Sequence, residues 1–225
     1  MSLKCQLHTH CHGDLVDNIN YSAKKLINEA AKLNYDVLSI TCHRKLLFNK
    51  DLQNYAKKKG ILLIPGIEFE IDNKHILGLN VDKKITKVDT FIKLSKYRAS
   101  HPDCLIVAPH PFFPTRNCLK NKLIKNIQLF DAIEISWAYT KTKNYNKKAV
   151  KFAKYFNKPL VTTSDCHILN YLDAGYIYLD SKKNPKSIIK AIKNNKIKIY
   201  TKPTGYFKIA RFFTQMILQK ILRQN

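Results

Sequence analysis

The feature that most constrains the fold is an alternation, along nearly the whole chain, of short β-branched apolar runs with longer segments of helical period. The runs are 3–7, 37–41, 61–64, 75–80, 105–108, 132–137 and 160–164, followed by a pair at 175–179 and 197–200. Between them, apolar residues recur near every 3.6 positions over 22–33, 50–59, 87–99, 119–128, 144–156 and 185–194. Strands that alternate with helices are the pattern of repeated βα units, and hence of an α/β protein with a parallel sheet or barrel. Ser22 stands where a helix N-cap is expected and Pro185 where a first helical turn tolerates proline. No Gly/Ser-rich linker and no repeat interrupts the series. At 225 residues and 45% hydrophobic content the chain can bury one sizeable core, which excludes a disordered or collagenous chain and predicts one domain over 1–204.

The remaining segment, 205–225, has a different character. On a helix, Tyr206, Ile209, Ala210, Phe213, Ile217 and Ile221 share one face, while Lys208, Arg211, Gln215 and Gln219 share the other. The pattern predicts a basic amphipathic helix packed on the domain, with peripheral contact to a membrane surface as its other use. There is no run of 18 apolar residues that would predict a membrane-spanning helix. The residues Met1–His8 lack the apolar stretch of a signal peptide, and no Cys pair has zinc-finger spacing, so the expected location is the cytoplasm, with thiols reduced.

A net charge of +24 predicts attraction to polyanions: nucleic acid, phosphorylated metabolites or anionic membranes. Only five of the 40 basic residues are Arg (Arg44, Arg98, Arg116, Arg211 and Arg223). Lys is a hydrated point charge without the planar fork that reads guanine edges, which argues against sequence-specific DNA recognition. Runs such as Lys57-Lys58-Lys59 read as solvated helix surface.

The chemistry gathers at strand ends. The first run leads into His8-Thr9-His10 and then Asp14, the second into Cys42-His43, the third into Gly66-Ile67-Glu68; the fourth begins at His75, the fifth leads to His110, the sixth carries Glu134 and the seventh ends in Asp165-Cys166-His167. Residues i and i+2 of a strand point to one face, so His8 with His10, and Asp165 with His167, can each aim two ligands into one cavity. In a closed barrel the strand ends converge on a single mouth. Imidazoles with carboxylates suit Zn²⁺, Mn²⁺ or Fe²⁺, and a carboxylate such as Glu68 can bridge two ions. By alternation, Cys11, Cys42 and Cys166 face away from the ligands.

Six stretches, Leu7-His8-Thr9-His10, Ser39-Ile40-Thr41-Cys42-His43, Ile64-Pro65-Gly66-Ile67-Glu68-Phe69-Glu70, His75-Ile76-Leu77-Gly78, Ala108-Pro109-His110-Pro111 and Ser164-Asp165-Cys166-His167, resemble in type and order the PHP (polymerase and histidinol phosphatase) metallophosphoesterases. The resemblance implies a distorted seven-stranded β/α barrel of PHP type carrying two or three divalent metal ions and hydrolysing phosphoesters. It implies one ion held by His8, His10, Glu68 and Asp165, a second by Glu68, His75 and His110, and a third by Asp14, His43 and His167. The sequence departs from the family at Leu15, where the family has Asp, and at Cys42, where Asp often precedes the His; Asp14, His12 or Asp17 would complete the third set.

Divalent ions at bridging distance would supply hydroxide at neutral pH and neutralise charge on the phosphoryl oxygens. Asp165, His167 and Glu68 are the expected catalytic residues. Arg116, Arg44 and Lys45 are candidate phosphate-binding cations, and Phe112, Phe113 and Trp137 could stack on a base or sugar. Glu134 reads as an orienter of a ligating histidine. The sequence thus predicts a metal-dependent phosphoesterase for nucleotides, short oligonucleotides or a small phosphorylated metabolite. The contrasting expectation is a nucleic-acid or membrane-surface binding protein with a structural metal site.

Overall fold

The computed structural model describes residues 2–221; Met1 and residues 222–225, the end of the expected 205–225 helix with Arg223, lie outside the described residues. The chain runs β1 (Ser2–Gln6), α1 (Ala23–Lys32), β2 (Val37–Ile40), α2 (Lys50–Lys58), β3 (Leu62–Ile71), β4 (Lys74–Leu79), α3 (Phe91–Ser100), β5 (Leu105–Ala108), α4 (Asn121–Lys125), β6 (Ala132–Ser136), α5 (Asn146–Tyr155), β7 (Leu160–Thr163), β8 (Gly175–Asp180), α6 (Pro185–Lys193), β9 (Ile197–Thr201) and α7 (Tyr206–Ile221). Local chemistry starts the helices where expected. Ser22 accepts from the Lys25 amide, and Asn184 caps α6 with Pro185 next to it.

The strands form one sheet in the order β7-β6-β5-β4-β3-β2-β1-β8-β9. This is an α/β barrel-like sheet of the expected class, but with nine strands where seven were expected, and not all of them parallel. β4 runs antiparallel to both β3 and β5. The cause is local. Asp72 and Asn73 have φ of 52° and 58°, the conformation of a two-residue hairpin turn, and such a turn cannot carry the chain back to a parallel start.

β3 extends well past the expected end at Ile64 because it changes partner in the middle. Its first half pairs with β2 as far as Pro65, and its second half pairs with β4 from Gly66. Pro65 loses no ladder bond there, and its carbonyl accepts from the Asn80 amide at 2.7 Å. Gly66 is required by close approach: a Cβ there would lie 2.1 Å from Ser39 Oγ.

The two ends of the series meet at one rim. Thr9, beyond β1, bridges in parallel to Cys166, beyond β7, and the His10 amide donates to the Cys166 carbonyl at 3.0 Å. Lower down, β1 turns instead to β8, which pairs with it antiparallel from Ser2–Asp180 to Cys5–Ile177. The buried amide of Gln6 spans the point of divergence. Its Nε2 donates to the Leu172 and Gly175 carbonyls, both at 2.9 Å, and its Oε1 accepts from the Leu7 and Ser164 amides at 3.2 and 3.1 Å.

Three apolar clusters fill the body. One packs α1 and α2 on β2 together with Cys11, Cys42 and Cys166; another packs α3 and α5 on β3 to β6; the third joins α6 to the strands through Ile188, Ile189 and Ile192. All six cysteines are buried and free.

α7 packs on the domain, but through a different face from the expected one. Phe212 is its buried residue, set against Trp137 and Tyr171 at ring distances of 5.1 and 5.0 Å, whereas Tyr206, Phe213 and Ile217 are exposed. The aromatic notch on the domain, and not the helix's own apolar stripe, sets its rotation.

Replacing the seam amide should be costly: in Gln6→Leu two carbonyls and two amides lose their buried partner, so unfolding free energy in urea should fall by at least about 2 kcal/mol with an unchanged m-value.

Candidate metal centre

Six of the eight histidines arrive at one rim of the barrel. His8 and His10 follow β1, His43 follows β2, His110 follows β5 and His167 follows β7. His75 lies at the start of β4, and it reaches the same rim because β4 runs backward. Of the other two, His12 is exposed and His101 stacks on Tyr97 at 4.0 Å, away from the rim. His110 and Asp165 both hold positive φ, 31° and 44°, a sparsely populated conformation that turns the chain sharply where the ligand-type residues must face inward.

Glu68 stands at the centre, 1% exposed. Its Oε2 lies 3.2 Å from His8 Nε2, 3.4 Å from His10 Nε2 and 3.0 Å from His43 Nε2, and its Oε1 lies 2.8 Å from His75 Nδ1 and 3.5 Å from His110 Nε2. Asp165 Oδ1 is 3.3 Å from both His8 Nε2 and His10 Nε2 and 3.4 Å from His167 Nδ1. Four sets therefore have ligand atoms within 4.8 Å of one another: His8, His10, Glu68 and Asp165; His43, Glu68 and His75; His10, His43 and His167; and Asp14, Asp17 and His43.

The outer atoms of the rings are already held. His8 Nδ1 lies 2.9 Å from Glu134 Oε1, His10 Nδ1 lies 2.9 Å from Asp14 Oδ2, and His110 Nδ1 lies 3.3 Å from Cys118 Sγ. Holding Nδ1 from behind aims Nε2 inward and fixes its lone pair for a ligand. Glu134 also fixes the backbone at His110, whose amide donates to its Oε2 at 2.9 Å. Asp14 is similarly committed: its Oδ2 accepts from the His43 amide at 2.8 Å, and its Oδ1 accepts from the amides of Val16 and Asp17 at 2.8 and 3.0 Å. Asp17 Oδ2 lies 3.0 Å from His167 Nε2 and 3.7 Å from His43 Nδ1. Leu15 is exposed.

The donor set fits divalent metal ions. His10 Nε2, Glu68 Oε1 and Asp165 Oδ1 are buried without a hydrogen bond of good geometry, an arrangement that costs free energy unless a cation satisfies it. All inward donors are nitrogen or oxygen, the chemistry of Zn²⁺, Mn²⁺ and Fe²⁺. The charges agree. Burial opposes ionisation of Glu68, yet the imidazoles of His75, His8 and His43 hold it well below the usual carboxylate range; Asp165 is held down in the same way by His8 and His167. Burial opposes a proton on His43, but Glu68 and Asp14 raise its pKa to about 11. His10 is lowered by burial and by His167 and His43 beside it.

The rim opens into a cavity of about 290 Å³. Asp17, His43, Glu68, His75, His110, Asp165 and His167 form its floor. Asp165 has 28% of its side chain exposed to it. Arg44, Lys45 and Arg116 do not line this cavity. Arg44 is drawn to Glu70, at 2.6 Å, on a separate surface hollow; Lys45 lies over Gly13; and Arg116 is exposed, offering only its carbonyl to Lys74. Phe112 turns into the core against Phe152, while Phe113 and Trp137 line the cavity. Cys11, Cys42 and Cys166 are packed in apolar surroundings, off the ligand face.

Sequence reasoning missed three contributors: Asn117, whose Nδ2 lies 3.2 Å from the His75 ring, Cys118 behind His110, and the α7 residues that form one wall. None carries a local signal, because each reaches the site from a loop or from the far end of the chain.

A family model described as PHP domain matches residues 6–168, and another described as PHP-associated matches residues 143–197. No curated protein matches the chain. Among solved structures, a two-domain protein from Bacteroides vulgatus containing a predicted PHP-like metal-dependent phosphoesterase is 18% identical with a TM-score of 0.66, over 96% of this chain and 70% of that one. PsfC from Pseudomonas syringae is 15% identical with a TM-score of 0.65, over 98% and 99%. The lesion-specific endonuclease PfuEndoQ from Pyrococcus furiosus is 17% identical with a TM-score of 0.64, over 88% and 58%. At these identities the likeness is one of fold.

Two measurements test the centre. Glu134→Gln should weaken metal affinity by about 10- to 100-fold while the protein stays folded, read by competition with a chromogenic chelator. Because His43 keeps its proton at neutral pH without a metal, ion uptake should release protons, and apparent affinity should fall from about pH 8 to about pH 6, as calorimetry in buffers of different ionisation enthalpy would register.

Proposed function

Because the chain belongs to the PHP-domain family, we propose that it is a metal-dependent phosphoesterase that hydrolyses phosphate esters at the histidine- and carboxylate-lined mouth of its barrel. The observation that carries this reading is the cavity above the ligands. A structural metal site is closed by its protein ligands, whereas a catalytic one keeps room for a reacting group. Here the partly exposed Asp165 and the buried Glu68 and His167 all face an accessible space. That argues against a purely structural metal site in a nucleic-acid or membrane-surface binding protein.

In this reading His8, His10, Glu68 and Asp165 would hold one ion, and Glu68, His75 and His110 a second. His43 and His167 would hold a third, with Asp17, while Asp14 orients His10 and His43 from behind. When bound, divalent ions supply Lewis-acid charge to the phosphoryl oxygens and lower the pKa of water. Glu134 and Asp14 keep the Nδ1 protons of His8 and His10, so Nε2 remains free to ligate. Water oxygen forms the new bond to phosphorus, the ester P–O bond breaks, and the departing alkoxide takes a proton. That proton comes from solvent water, which reaches the partly exposed Asp165 through the open cavity. The substrate is a small phosphate ester, such as a nucleotide or another phosphorylated metabolite.

Purified protein loaded with Mn²⁺ should release alcohol and phosphate from a generic phosphomonoester, and chelation should abolish turnover, with recovery on adding metal back. Asp165→Asn and His110→Ala should each lower kcat by more than the roughly 10- to 100-fold typical of residues behind the ligands. The absence of turnover with Mn²⁺, Zn²⁺ and Fe²⁺ alike would overturn the assignment.

A further inference from the structure

The cavity has two unlike ends. Its floor carries the metal-ligand types, Thr115, Asn117 and Ser136 add neutral polar groups, and the apolar side is Phe113, Trp137, Phe212, Phe213, Met216 and Ile217, four of them from α7. No Lys or Arg among the described residues lines it, in a chain with 40 of them. We infer that α7 and the Trp137 segment form an apolar subsite, so that the substrate carries a single phosphate next to an uncharged apolar or aromatic group. The inference rests on the phosphoesterase reading for the identity of the anionic end and refines it at the other end.

Two physical arguments carry it. An additional phosphate or carboxylate in this cavity would lose hydration against the apolar side and meet only neutral polar groups, with no Lys or Arg among the described lining residues to pair it, a penalty for an unpaired charge. An apolar group gains from the same wall by leaving water, and planar rings gain further beside the accessible Phe113 and Phe213. α7 is held for this purpose at several points. Phe212 sits between Trp137 and Tyr171, the Lys208 carbonyl accepts from the Tyr171 hydroxyl at 3.3 Å, and the Thr204 amide donates to the Tyr139 carbonyl at 2.7 Å. Phe213 and Ile217, 49% and 59% exposed, are left at the cavity with apolar surface that the described residues do not cover. The volume of about 290 Å³ suits a small ester.

Trp137 is the chain's sole tryptophan, so its emission reports this subsite directly. The full-length, zinc-loaded protein is titrated with benzylphosphonate and with methylphosphonate, neither of which can be hydrolysed as an ester. Benzylphosphonate should bind about ten- to hundredfold more tightly. The double variant Phe213→Ser with Ile217→Ser should reduce that ratio at least about tenfold; both side chains are exposed, and the retained Trp137 emission maximum checks the fold. In turnover, benzyl phosphate should exceed glycerol phosphate by a similar ratio of kcat/KM, their alcohols being comparable leaving groups, and the variant should lose the advantage through KM. Equal binding of the two phosphonates, or tighter binding of a sugar bisphosphate or a trinucleotide, would overturn the inference. Absent turnover of every ester with selective phosphonate binding retained would overturn the hydrolase reading and still support the apolar subsite.

Discussion

The parallel bridge between Thr9 and Cys166 is the contact on which the site depends. The sheet could otherwise stay open, with β1 and β7 in different places, since β1 spends its lower half on β8. Two backbone hydrogen bonds at the rim, one from His10 to the Cys166 carbonyl and one from Cys166 to the His8 carbonyl, set His8 and His10 beside Asp165 and His167. Gln6 makes that closure affordable by satisfying four backbone groups where the strands part.

Charge explains the rest of the rim. Five of the 16 acidic residues, Asp14, Asp17, Glu68, Glu134 and Asp165, are packed among six imidazoles. So many ionisable groups cannot be buried side by side unless protons or metal ions neutralise them. Carboxylates behind His8, His10 and His43, and Cys118 behind His110, keep those imidazoles oriented, and the same contacts make the cluster internally consistent before any ion arrives. The net charge of +24 takes its place outside this arrangement. It creates an attractive field for anions over the surface, while the cavity itself contains no Lys or Arg among the described residues.

Much of this was legible in the sequence. Eight of the nine strands and the seven helices lie near the segments that periodicity marked, although the family resemblance implied a barrel of seven strands, because those signals are local: Ser22 caps its helix through a hydrogen bond three residues away. The six histidines and Glu68 and Asp165 were legible too, through their positions at strand ends and the i, i+2 pairing. β3 was read short, since Pro65-Gly66 has the appearance of a break and only the change of partner from β2 to β4 removes the penalty. The rotation of α7 was misread because its most apolar stripe is not the one that the Trp137 and Tyr171 notch accepts. Arg44 looked available as a phosphate ligand until its ion pair with Glu70 appeared.

By itself, the sequence determined the element order, the residue types at each strand end and the membership of the chain in the PHP-domain family, because these are matters of local pattern and short motifs. Tertiary structure alone decided that β4 runs backward and so returns His75 to the rim, that Asp14 stands behind the rings while Asp17 faces His167, and that α7 walls the cavity with carbon. Those outcomes depend on register, closure and packing between residues far apart in the chain. No periodicity within a single segment encodes them.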